Sequence, residues 1–79
     1  MLNIDELINR WVENDVDMVT NKKYGHTQWR QAEIRRQFIK QNSILNEKEK
    51  KEMYRQYCEA FDAELKARGH SGKMPKWDE

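Results

Sequence analysis

The sequence predicts an all-α fold: a compact three-helix bundle with helices at about residues 3–20, 28–41 and 47–68, followed by an irregular C-terminal tail. Three segments repeat apolar residues at helical spacing, and no stretch alternates apolar and polar residues as a half-buried strand would. With 79 residues, of which 37% are apolar, the chain has material for one modest core. We therefore predict one helical domain over residues 1–69 and a flexible or docked tail over residues 70–79.

The first predicted helix begins at Asn3, which can cap a helix and is followed three residues later by Glu6, the spacing of a capping box. Asp15 falls in the middle of the apolar stripe that should face inward. Either the helix breaks near Asn14 and Asp15, or Asp15 meets a basic partner. The stripe itself consists of Ile4, Leu7, Ile8, Trp11, Met18 and Val19, with Val12 and Val16 at one edge.

The second predicted helix has apolar residues on two sides. At about 100° per residue, Ile34 and Phe38 lie together, whereas Trp29, Ala32 and Ile39 lie on the other side. This pattern has two interpretations: a central helix that is contacted on both sides, or a helix that presents one side to a partner. We expect Ile34 and Phe38 to face the core and the Trp29 side to face outward.

The third predicted helix has the clearest boundaries. Asn46 and Glu49 form a second capping box, and Gly69 supplies a stop after the last turn. In the tail that follows, Trp77 either packs back on the bundle, is disordered, or inserts into a groove of a partner. The predicted buried row of the helix is Met53, Tyr54, Tyr57, Cys58, Phe61 and Leu65.

The sequence carries no signature of catalysis. The chain has three glycines and no glycine-rich phosphate loop, and three helices of this size can hardly enclose a catalytic pocket. We interpret Cys58 as a small buried apolar residue, because it lies on the apolar row of its helix. Cys58, His26 and His70 are too few and too scattered for a structural zinc site. We predict a non-enzymatic protein without a metal or cofactor.

Charge and hydropathy bear on the kind of partner and on the cellular compartment of the chain. Fifteen basic and fourteen acidic residues nearly cancel, so the net charge of +1 indicates no partner. Residues 1–21 nevertheless carry five acidic residues against one basic residue, whereas residues 22–40 carry six basic residues against one acidic residue. No apolar run could span a bilayer, no signal peptide is recognisable, and a single cysteine fits a reducing compartment, so we expect a cytoplasmic protein.

These observations favour a binding role. We predict a small protein–protein interaction module (an adaptor, inhibitor or regulator) that forms a homodimer, since the second helix has more apolar surface than one core needs. The predicted partner-binding residues are Trp29, Arg36, Ile39, Lys40 and Trp77. The alternative is a DNA- or RNA-binding helical domain that uses the basic segment 22–40, with phosphate contacts from Lys22, Lys23, Arg30 and Arg35.

Overall fold

The computed structural model describes residues 3–20 and 28–70 together with Met74 and Trp77, and of residues 28 and 29 it describes the backbone only. Three helices are present: α1 spans Ile4–Thr20, α2 spans Gln28–Lys40 and α3 spans Glu47–Ala67. Each helix contacts the other two, which confirms the predicted all-α three-helix bundle. The observed boundaries coincide with the predicted ones at residues 20, 28 and 47 and differ from them by one residue at the other three helix ends.

Local signals in the sequence account for the ends of the helices. The Asn3 side chain accepts a hydrogen bond from the Glu6 backbone N–H at 2.8 Å and caps α1. At the start of α3, the reciprocal bonds between Asn46 and Glu49, 2.9 and 3.0 Å long, form the predicted capping box. Gly69 ends α3 with a φ of 78°, a backbone conformation that glycine adopts without steric cost.

The core is formed by one face of α1 and one face of α3, closed by α2. Tyr54, Tyr57 and Phe61, all from α3, are the largest of its fully buried side chains. The buried apolar residues are Ile8, Val12, Val16 and Val19 from α1, Ala32 and Ile39 from α2, Met53, Tyr54, Tyr57, Phe61 and Leu65 from α3, and Met74 from the tail. The predicted row of α3 is therefore confirmed, except that Cys58 is only half-buried.

The first helix is continuous, and Asp15 lies inside it with its side chain fully buried. The prediction that Asp15 meets a basic partner is confirmed, since its carboxylate pairs with Arg35 of α2. One expectation for α1 is wrong. Ile4 is 54% exposed, because it occupies the first position of the helix at the open end of the bundle.

The orientation of α2 is the reverse of the one we expected. Ile34 and Phe38 are 52% and 54% exposed, whereas Ala32 and Ile39 are fully buried. The physical reason is the contact with Asp15: Arg35 must face α1, and at helical spacing it shares that side with Ala32 and Ile39. The apolar residues on the other side of α2 are left in contact with solvent.

Candidate functional site

The buried Asp15 carboxylate is the centre of a polar cluster that joins all three helices. Its Oδ2 accepts hydrogen bonds from the Tyr57 hydroxyl at 2.7 Å and from Arg35 Nε at 3.0 Å. Its Oδ1 accepts bonds from Asn14 Nδ2 at 3.0 Å and from Gln31 Nε2 at 3.3 Å. A buried carboxylate with a cation and several donors is well satisfied, so this cluster orients the helices and has no vacant acceptor for a ligand.

The environment of Tyr57 and Cys58 keeps both groups protonated near neutral pH. Burial, followed by the hydrogen bond and charge of Asp15, raises the pKa of Tyr57. Burial raises the pKa of the Cys58 thiol to about 11, against a smaller opposing effect of the Arg36 charge. Because the thiolate is the reactive form of cysteine, these surroundings support the interpretation of Cys58 as a packing residue.

An apolar surface lies over the seam between α1 and α2. Trp11 and Phe38 meet edge to face, with ring centroids 5.8 Å apart and an angle of 88° between the ring planes. Trp11 has a second contact: the Arg35 guanidinium carbon lies over its ring, 4.7 Å from the ring centre. Ile34 extends this surface by one turn of α2. We call Trp11, Ile34 and Phe38 the Phe38 face; it is bordered on α2 by Arg30, Glu33, Gln37 and Gln41.

Polar and aromatic groups also meet on the opposite side of α2, where the tail packs. The Trp77 ring meets the Tyr54 ring edge to face, with centroids 5.4 Å apart at 89°. The Lys40 ammonium lies 5.2 Å from the Tyr54 centroid and 5.4 Å from the Trp77 centroid. Met74, three residues before Trp77, is buried, and its backbone N–H donates to Asp62 Oδ1 at 3.0 Å.

The predicted partner-binding residues therefore do not form one exposed surface. Ile39 belongs to the core, so its assignment to a binding surface is wrong. The contact between Arg35 and Asp15 turns the Ile39 side of α2 inward. Lys40 and Trp77 are brought together, but they contact each other within the chain. Arg36 is half-buried beside Tyr54, and the side chain of Trp29 lies outside the described residues.

The predicted nucleic-acid-binding residues are placed as follows. Lys22 and Lys23 lie outside the described residues. Arg30 is exposed at the border of the Phe38 face. Arg35 is committed to Asp15 and to the Trp11 ring, so its charge is already neutralised inside the bundle. Of the two described cations, Arg30 is thus the one that faces solvent.

Sequence reasoning missed the Phe38 face because it assigned Ile34 and Phe38 to the core. The signal that could have located this face is Asp15. A buried aspartate on α1 needs a cation. Assigning Arg35 as that cation would have predicted an α2 orientation in which Ile34 and Phe38 face outward.

Within residues 3–20 and 28–70, Met74 and Trp77, no cluster of three or more His, Cys, Asp or Glu side chains is arranged to hold a metal ion. Of the helices so described, none is both long enough and apolar enough to cross a bilayer. Comparisons of the chain with protein-family models, with curated proteins and with solved structures give no match.

Proposed function

We propose that this protein is a small, non-enzymatic protein–protein interaction module of the cytoplasm, an adaptor, inhibitor or regulator, which binds through the Phe38 face. One observation carries the proposal: Ile34 and Phe38 are each more than half exposed and lie side by side on α2. Exposed large apolar side chains that adjoin one another and are bordered by polar residues are typical of protein-binding surfaces.

The composition of the Phe38 face supports the same proposal. Trp11 and Phe38 hold each other edge to face, so the two rings lose little conformational freedom when a partner covers them. Arginine and tryptophan are the residue types enriched at binding hot spots, and Arg35 stacks on Trp11 here. The surface is thus organised before any partner arrives.

A second copy of the chain is the first partner that we propose for the Phe38 face. In an antiparallel pair of α2 helices related by a twofold axis near residue 36, Ile34 of one copy packs on Phe38 of the other. The Arg30 end of each helix then lies beside the Gln41 end of the other, so like charges stay apart. A parallel pair would instead place Arg30 next to Arg30.

Site-specific photo-crosslinking tests the binding role in cells that express the full chain. A photoreactive amino acid in place of the exposed Gln37, at the border of the Phe38 face, should give cross-linked bands. The matched control is the same substitution at Lys51, which is exposed on the outer side of α3. A cross-link at position 37 that is no stronger than the one at position 51 would overturn the proposed function.

Light scattering tests the homodimer separately. The wild-type chain at high micromolar concentration should have twice the 9.7 kDa mass of one chain. Phe38→Glu should restore the monomer mass, because it buries a charge in the contact. Ile44→Glu, at an apolar residue that is 89% exposed in the α2–α3 turn, should leave the dimer intact. A wild-type monomer, or equal effects of the two variants, would contradict the homodimer.

A further inference from the structure

The tail makes two anchored contacts with the bundle, and they differ in chemistry. The first is Met74, which is 8% exposed and belongs to the core, while its backbone N–H is held by the Asp62 carboxylate at 3.0 Å. The second is Trp77, which lies edge-on against Tyr54. Met74 and Trp77 thus contribute an apolar anchor, a backbone hydrogen bond and an aromatic contact.

The surface that receives the tail is formed by α2 and α3, and we call Lys40, Tyr54 and Asp62 the tail groove. Lys40 has its ammonium within 5.4 Å of the centres of both the Tyr54 and the Trp77 rings, a distance at which a cation is attracted to an aromatic face. The Asp62 carboxylate accepts a backbone N–H. Every residue except proline has such an N–H, so this contact does not depend on the side chain.

None of these contacts depends on the tail being covalently joined to α3. A backbone N–H, an unbranched apolar side chain and a tryptophan three positions later can be offered equally well by a separate chain. We infer that the tail groove is a peptide-binding site for segments with an apolar residue followed three positions later by tryptophan, and that the protein's own tail occupies this site in cis.

This site is distinct from the Phe38 face, so the inference stands apart from the proposed function. Lys40 follows Phe38 by two residues, which is about 200° around a helix, and the two surfaces therefore lie on opposite sides of α2. A partner on the Phe38 face and a peptide in the tail groove can be bound at the same time.

The covalent link gives the tail a strong advantage over any peptide in solution. A ligand joined by a short linker experiences an effective concentration in the millimolar range. A peptide of equal intrinsic affinity is therefore excluded while the tail is docked. Only a tighter-binding segment, or removal of the tail anchors, opens the groove, so the tail acts as a built-in competitor.

The test uses the full-length chain with its own anchors removed by Met74→Ala and Trp77→Ala as the receptor. The probe is a fluorescein-labelled synthetic peptide with the sequence of residues 71–79, and binding is followed by fluorescence anisotropy. We expect saturable binding to the double variant and binding about tenfold or more weaker to the wild-type chain, whose tail competes.

Two controls separate groove binding from nonspecific adsorption. A peptide with alanine in place of its tryptophan should not bind, and adding Asp62→Ala to the receptor should weaken binding of the original peptide. If the double variant keeps its helical circular dichroism and still fails to bind, the tail is a fixed part of the core and the inference is overturned. If the double variant unfolds, Trp77→Ala alone serves as receptor; because it keeps the Met74 anchor but has lost the Trp77 contact, it should bind the peptide more tightly than the wild-type chain does, and equal binding to the two overturns the inference.

Discussion

Helices α2 and α3 both pack against α1, but their apolar residues are distributed differently around the helix axis. In α3 the buried residues follow one another at three- and four-residue spacing along a single face: Met53, Tyr54, Tyr57, Phe61 and Leu65. In α2 the side with Ala32 and Ile39 is buried, while Ile34 and Phe38 on the other side are exposed. A helix with one apolar face has one favourable orientation, whereas a helix with two needs a further interaction to select between them.

For α2 that further interaction is polar. Gln31 and Arg35 both donate to Asp15 from the side of α2 that carries Ile39. Turning α2 to bury Ile34 and Phe38 would gain up to about 1.5–3 kcal/mol for each side chain. It would also expose Ile39 and leave the buried Asp15 without its cation, which costs about 3–5 kcal/mol. The unpaired Asp15 and the newly exposed Ile39 together outweigh the gain from Ile34 and Phe38, which are already about half-buried.

The largest expected effect separates the two sides of α2 with one residue type. Ile39→Ala should lower the free energy of unfolding by about 2–5 kcal/mol, because it leaves a cavity in the core. At concentrations below the dissociation constant of the proposed dimer, Ile34→Ala, five positions earlier on the same helix, should change it by no more than about 0.5 kcal/mol. Urea denaturation of the two variants measures both values. Equal losses, or a larger loss for Ile34→Ala, would show that α2 faces the other way.

The same comparison explains how much of the fold could be predicted. The start of α1 and both ends of α3 were predictable because capping is local: Asn3, Asn46 and Gly69 act within a few residues of their own position. The buried row of α3 was predictable because it has one apolar face. The orientation of α2 depends on Asp15, a contact that spans 20 residues of sequence, and helical periodicity contains no information about such a contact.

The candidate site was less predictable than the fold for the same reason. Once α2 was assigned the wrong orientation, Ile39 was placed on the surface and Phe38 in the core. The sequence predicts binding roles for both Lys40 and Trp77, but periodicity gives no indication that they contact one another and Tyr54. Tail residues have no helical register, so their contacts become visible only in three dimensions.

A smaller effect tests whether the Asp15 contact selects the orientation of α2. Asp15→Asn keeps the shape of the side chain but removes its charge and directs an N–H toward donors, so it should cost about 1–3 kcal/mol of unfolding free energy. Asp17→Asn is the matched control two residues away, since Asp17 is exposed and pairs with Arg68 at the surface. An exposed pair contributes about 0.2–1 kcal/mol. Similar losses for the two variants would contradict a special role for Asp15.

The last expected effect vanishes near neutral pH and concerns Cys58, which lies on α3 at the edge that the α2 cations Arg36 and Lys40 approach. Burial raises the pKa of its thiol from an ordinary value of 9.0 to about 11. Below pH 9 the thiol is protonated in both the folded and the unfolded chain, so it has no effect on the pH dependence of stability. Between pH 9 and 11 the unfolded chain loses its proton first, and the free energy of unfolding should fall as the pH rises.

Alkylation of Cys58 by iodoacetamide measures this pKa directly, because the thiolate is the reacting species. In the folded chain the rate should rise with a midpoint near pH 11, and in the same chain unfolded in urea the midpoint should lie near 9. The unfolded chain is the matched control, since it has the same thiol without the packing. Coincident midpoints would mean that this edge of α3 is open to water, and would weaken the contrast between a well-covered α3 and a half-exposed α2.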